Sequence, residues 1–187
     1  SGGIGVGEVL TLSAPTSCGK SALALYIALQ AAHNDATPTL IFALEMPRKQ
    51  ILKRMTQALA GANLKQIQEK VMNKDKLARV NKALDTISEM PLYTIHTVKS
   101  PNDLTSKARN LVRKHGIKLI VIDYLQLVPW SSKAGSKTEG IADISHKIKQ
   151  IALELNVSIL LLSQVNRDGA KRETGLSIYD LKDSGDI

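Results

Sequence analysis

The feature that most restricts the fold of this chain is one unit of strand, loop and helix near its start. Residues 8–13 (EVLTLS) alternate as a strand does, residues 22–32 are apolar almost all round, and eight small or polar residues lie between them. Alternation at period two marks a strand, and an all-round apolar helix marks a buried one. A buried helix that directly follows a strand packs back on the sheet and delivers the chain to a parallel neighbour. The rest of the sequence is therefore expected to repeat the unit.

It does so several times. Residues 39–44 (TLIFAL) form a second apolar run that ends at Glu45, and Pro47 suits the first turn of a helix continuing through Ile51, Met55 and Leu59. The polar, Lys-rich stretch 63–90 keeps helical spacing at Leu77, Val80, Leu84 and Ile87, which predicts one or two surface helices. Residues 92–96 (LYTIH) read as a third strand. Residues 101–115 read as a helix with Leu104, Ala108, Leu111 and Val112 inward and Gly116 as its terminator. The fully apolar run 119–122 (LIVI) closes on Asp123. A loop is expected over 129–140, then a helix on Ile141, Ile144, Ile148, Ile151 and Leu155, then a buried strand 158–162 ending in Ser163 and Gln164. The polar stretch 166–175 is predicted as a loop. Strands alternating with helices point to an α/β fold with a mostly parallel central sheet and helices on both faces. Ligands of such sheets bind at the C-terminal ends of the strands.

Composition agrees with this class and excludes others. With 187 residues, 43% of them hydrophobic but only one Phe and one Trp, the core must be built from Ile, Leu, Val and Ala, as in strands covered on both faces. The single cysteine, Cys18, rules out an internal disulfide, and no Cys/His cluster has zinc spacing. No apolar run approaches the roughly 20 residues that span a bilayer, and residues 1–5 lack the character of a signal peptide. A soluble protein of the reducing cytoplasm is expected. The net charge of +8 is concentrated in residues 47–130, with sixteen bases against six acids. A solvated helix surface explains that excess as well as a nucleic-acid partner does.

The loop between the first strand and helix carries the chemistry. It consists of Ala14, Pro15, Thr16, Ser17, Cys18, Gly19, Lys20 and Ser21. This matches the phosphate-loop pattern at Gly19, Lys20 and Ser21, with Ala14 where the common pattern has its first Gly. Gly19 lets backbone N–H groups close on phosphates, and the helix start adds its positive end. Lys20 supplies a cation for β/γ oxygens and Ser21 a ligand for Mg²⁺. A bound nucleoside triphosphate with Mg²⁺ is the expected occupant. Asp123 stands where such a site places its Mg²⁺-orienting acid, although an Asp after a strand also caps the next segment. Glu45 suits a general base for the attacking water and equally a carboxylate favoured near a helix start. Gln164 suits a sensor of the γ-phosphate, or is simply a polar strand terminus. Cys18 fills a small-residue position in the loop.

Taken in order, several motifs resemble one family. They are Gly2, Gly3, Gly7 and Glu8 before the first strand, APTSCGKS, FALEM (42–46), IDYLQL (122–127), SQVNR (163–167) and DLKDSGDI (180–187). Together they resemble the C-terminal motor domain of DnaB-like replicative helicases, which are RecA-like ATPases that tolerate Ala at the position of Ala14. The resemblance implies that Glu45 is the catalytic base, Asp123 the Mg²⁺-linked acid, and Gln164 the link between the γ-phosphate and DNA. It also implies that Lys182, with backbone groups near Asp183 and Gly185, contacts single-stranded DNA. The family usually has Arg-Glu where Lys182 and Asp183 stand, a swap that keeps both charges but loses the bidentate fork of Arg.

Further expectations follow from the same resemblance. Residues 1–187 are one RecA-like ATPase domain, without the strands that bear the family's Arg and Lys fingers and without an N-terminal primase-binding domain. The partners implied are single-stranded DNA, further copies of the chain in a hexameric ring, primase and a helicase loader. The activity implied is ATP-driven translocation and unwinding in DNA replication. A RecA-like ATPase acting as loader, recombination mediator or switch without unwinding is the alternative.

Overall fold

The computed structural model describes residues 3–62, 74–129 and 137–164. Five strands, β1 (Val9–Ala14), β2 (Thr39–Ala43), β3 (Leu92–Ile95), β4 (Leu119–Asp123) and β5 (Ser158–Gln164), pair in parallel in the order β1-β5-β4-β2-β3. Between them run helices α1 (Lys20–Asn34), α2 (Arg48–Ala60), α3 (Lys74–Glu89), α4 (Pro101–His115) and α5 (Lys137–Leu155). This is the α/β architecture expected from the alternation of apolar runs.

The central strands are apolar through their middles, with polar residues only at their ends, because both faces are covered. Successive side chains point to opposite faces, so each strand divides itself between two cores. Leu40 and Phe42 of β2, Ile120 and Ile122 of β4, and Ile159 and Leu161 of β5 join one cluster. Ile41, Ala43, Leu119, Val121, Leu160 and Leu162 join the other. The first cluster is closed by Leu104 and Ala108 of α4 and by Ile141, Ile144, Ile148 and Ile151 of α5. The second is closed by Ala24, Leu25, Ala28 and Leu29 of α1 with Ile51 and Met55 of α2.

The order of the strands explains this division. From β1 the chain steps across the sheet to β2 and on to β3, and from β3 it steps back to β4 and β5. Right-handed crossovers put the connecting helices on one face in one direction of travel and on the opposite face in the other. Connections leaving the neighbouring strands β2 and β4 in opposite senses open a crevice at the C-terminal edge of the sheet.

Local signals set most of the boundaries. In α4, Pro101 opens the helix, the Ser100 hydroxyl accepts from the Asp103 N–H at 3.1 Å, and the Asp103 carboxylate accepts from the Lys99 N–H at 2.8 Å. This is a reciprocal cap at a helix start. The same helix ends at Gly116, whose φ of 64° suits a residue without a side chain and whose N–H reaches Val112 O at 2.8 Å.

Four details differ from the sequence reading. Pro47 is the N-cap of α2 rather than a residue of its first turn. Helix α5 begins at Lys137, so the expected loop ends before Gly140. Helix α3 buries Val80 and Ala83 against Ala60 and Ala62 and sends only Ile87 toward the sheet's core, while Leu77 and Leu84 are exposed. Helix α1 is not apolar-covered all round, because Leu23 and Tyr26 are about half exposed.

Candidate active site at the C-terminal edge of the sheet

Strand register brings the candidate residues together. Ala14 at the end of β1 pairs with Gln164 at the end of β5, and Ala43 at the end of β2 pairs with Asp123 at the end of β4. The Leu44 N–H donates to Asp123 O at 2.9 Å, which extends that ladder by one residue and carries Glu45 to the same edge. Four strands separated in sequence by up to 150 residues thus end in one cleft. The cleft has a volume of about 1150 Å³, and its lining includes Thr16, Gly19, Lys20, Ser21, Glu45 and Gln164.

The loop from Ala14 to Ser21 turns through two left-handed residues, Ser17 (φ 64°) and Gly19 (φ 85°). A side-chain Cβ at Gly19 would meet nothing within 4 Å, so glycine serves the backbone conformation there and not a close approach. Gly19 is the N-cap of α1, which has no side-chain cap and no acidic residue in its first turn. The N-terminal N–H groups of α1 are left for an anion from outside the helix. Pro15 also contributes, since its carbonyl and that of Ala14 accept from the Lys20 ammonium, the Pro15 bond measuring 2.9 Å. Burial lowers the Lys20 pKa, and the charges of Cys18, Glu45 and Asp123 oppose that shift. An ammonium held by two neutral carbonyls in a cleft is available to an incoming phosphate. Cys18 is an exposed free thiol.

Ser21 and Asp123 are the residues best placed to hold a divalent cation. Asp123 is only 3% exposed, and its carboxylate accepts a hydrogen bond of 3.1 Å from the Ser21 hydroxyl. Burial raises the Asp123 pKa and the charge of Glu45 adds to the shift, while the Ser21 bond, Lys20 and Arg54 oppose it. A carboxylate this buried with a neutral hydroxyl as its hydrogen-bond partner is poorly compensated, as a cation site requires. Among the described residues no group of three or more His, Cys, Asp or Glu side chains gathers around a common point. Two protein oxygens suit Mg²⁺, which keeps several waters and takes phosphate oxygens.

Two further groups belong to this edge that the residues alone did not reveal. Arg54 of α2 lines the cleft and acts electrostatically on Asp123. Its only signal in the sequence was its position beside the inward Met55. Gln126 lies in a short 3-10 turn, Leu125–Leu127, directly after β4, and bonds to Ser163 and Gln164. Lys182, Asp183 and Gly185, expected to contact DNA, lie outside the described residues, as do Asn166 and Arg167.

Comparisons agree with the motifs. Residues 1–187 match the family described as the DnaB-like helicase C terminal domain. The replicative DNA helicase DnaB of Buchnera aphidicola subsp. Baizongia pistaciae is 32% identical over 189 residues, covering 99% of this chain and 41% of that protein. The DnaB of Leifsonia xyli subsp. xyli is also 32% identical, over 190 residues, with the same two coverages. The chain therefore spans about two fifths of the length of these curated relatives. A solved DnaB-like replicative helicase, described with its interactions with primase, superposes with a TM-score of 0.89 at 29% identity, over 97% of this chain and 45% of that one. The RecA-like α/β sheet, the phosphate loop and the acids at the strand ends are thus accounted for together: this chain belongs to the DnaB-like helicase C-terminal domain family.

Proposed function

We propose that this chain is the ATP-driven motor domain of a replicative DNA helicase, which hydrolyses ATP to move along single-stranded DNA and unwind duplex. The observation that carries this reading is the convergence of Lys20, Ser21, Glu45 and Gln164 on one cleft, with Asp123 hydrogen-bonded to Ser21 across 102 residues of sequence. In this reading the uncapped start of α1 and Lys20 hold the triphosphate. Ser21 and Asp123 would hold Mg²⁺, directly or through water, and the ion would supply positive charge to screen the phosphates. Glu45 is exposed at the cleft. It takes the proton of the attacking water, and Gln164 senses the γ-phosphate.

The same reading assigns residues beyond Gln164, with Lys182 and backbone groups near Asp183 and Gly185, to phosphates of single-stranded DNA. Copies of the chain form a ring, hexameric in this account, with nucleotide between neighbours and a cationic finger supplied in trans. Primase and a loader are its proposed partners in a cytoplasmic replication apparatus. Among the described residues no helix is long and apolar enough to cross a membrane.

The test is ATP turnover by the complete protein with and without single-stranded DNA, beside Glu45→Gln. DNA is expected to stimulate turnover. The variant is expected to bind ATP normally and to lose about 10² to 10⁴ in rate, the range for a general base. Absence of stimulation would sink translocation and leave a nucleotide switch. Unchanged turnover in the variant would return Glu45 to a role at the start of α2.

A further inference from the structure

The ladder between β4 and β5 runs only to Ile122 and Leu161. Beyond that point β4 ends at Asp123 and the chain turns into the 3-10 segment, yet β5 stays extended to Gln164. On one side its last residues are held by β1, where Ser13 pairs with Ser163 and Ala14 with Gln164. On the other side the carboxamide of Gln126 occupies the place of the departed strand. Its Nε2 donates to Ser163 Oγ at 3.1 Å and to Gln164 O at 3.3 Å, and its Oε1 accepts from the Gln164 N–H at 3.3 Å. A primary carboxamide offers a donor and an acceptor side by side, as a peptide group does. Here both reach the main chain of Gln164, and the donor also reaches the Ser163 hydroxyl.

We infer that Gln126 is a positioning residue for Gln164: it substitutes for a strand partner at the end of β5 and so fixes the backbone from which Gln164 faces the cleft. The inference rests on the proposed role of Gln164 for its kinetic consequence, but not for its structural content. Gln126 sits three residues after Asp123, so the clamp joins the end of β5 to the segment that carries the cation-site acid. Both backbone bonds of the clamp, at 3.3 Å, are slightly longer than the usual range. They steady the end of β5 without locking it.

The experiment compares Gln126→Met, which keeps length and removes the carboxamide, with Gln164→Ala and the double variant in the complete protein. Steady-state ATP turnover and deuterium uptake by the peptide covering residues 158–164 are measured for each. Gln126→Met is expected to lower kcat about tenfold with KM within about twofold, a split that marks loss of an interaction used in the transition state. The amide of Gln164 is expected to exchange at least about tenfold faster, with peptides from β2 and β4 unchanged. The double variant is expected to be no slower than Gln164→Ala alone, because residues acting through one another are not additive. Unchanged exchange at the end of β5, or losses that multiply in the double variant, would overturn the inference. If Gln164→Ala turns over normally, the proposed role of Gln164 falls, while the exchange result still decides whether Gln126 holds it. Should the Met variant not fold, Gln126→Asn withdraws the amide by one methylene and is read by the same two measurements.

Discussion

Helices α1 and α4 lie on opposite faces of one sheet, and their N-termini are built in opposite ways. Helix α4 opens with Pro101, has Ser100 as cap and Asp103 in its first turn, and ends on Arg113, Lys114 and His115 before Gly116. Each of these choices stabilises a helix by itself. Helix α1 opens on a left-handed glycine with no side-chain cap and no acid in its first turn, and a buried carboxylate stands beside it. Isolated from a ligand, those choices are costly. The difference teaches where the chain gives up stability: the face built by α4 and α5 supports the fold, and the edge where α1 meets β4 is left incomplete, as the proposed triphosphate and cation site requires.

That contrast can be broken from either side, and the largest effect belongs to the cleft. Lys20→Ala should lower ATP turnover by about 10² to 10³, the cost of removing one preorganised charge or donor, while the unfolding midpoint without nucleotide stays the same or rises. A large fall in that midpoint would show Lys20 to be a structural tie between the loop carbonyls. On the opposite face the response should invert. Ile148 is 1% exposed, and Ile148→Ala should cost about 3 kcal/mol in urea unfolding. Any change in turnover there should follow only from loss of folded protein.

The expected outcome at the caps is smaller. Ser100→Ala should destabilise by about 1 kcal/mol and leave nucleotide binding unchanged, as measured with a fluorescent ATP analogue. An effect on binding would contradict the division between the two faces.

Much of this arrangement was readable in the residues, because two periodicities carry it. The apolar runs ending at Glu45, Asp123 and Gln164 announce strand ends, and a parallel sheet presents all such ends at one edge. Hence Lys20, Ser21, Glu45, Asp123 and Gln164 could be grouped before any coordinates. The Ile141 to Leu155 spacing likewise announced α5, which packs as expected. What could not be read depended on tertiary geometry. Leu77 and Leu84 have helical spacing but face solvent, because Val80 and Ala83 of α3 lean on the small residues Ala60 and Ala62 and only Ile87 reaches the sheet's core. Arg54 reaches the cleft through the rotation of α2 about its axis. Gln126 acquires its contacts only because the chain leaves the sheet after Asp123, a departure with no periodic signature.

Asp123 joins the two sides of the comparison in one residue. Its raised pKa means that the folded state holds a proton more tightly than the unfolded state does. At low pH, with both states protonated, the group is neutral in effect. As pH rises from the ordinary carboxylate range through the raised folded value, stability is lost, and it stays lost above. Asp123→Asn keeps the shape and a hydrogen-bonding partner for Ser21 while removing the charge.

The most direct measurement is therefore the urea unfolding of Asp123→Asn and the unaltered protein at acid and neutral pH, each with and without Mg²⁺-ATP. The account predicts that the variant is about 1 kcal/mol more stable at neutral pH without ligand, as when strain at a functional site is relieved. It also predicts that the difference vanishes at acid pH and that the variant loses the stabilisation conferred by Mg²⁺-ATP. A variant that is less stable at neutral pH, yet still stabilised by Mg²⁺-ATP as strongly as the unaltered protein, would contradict it.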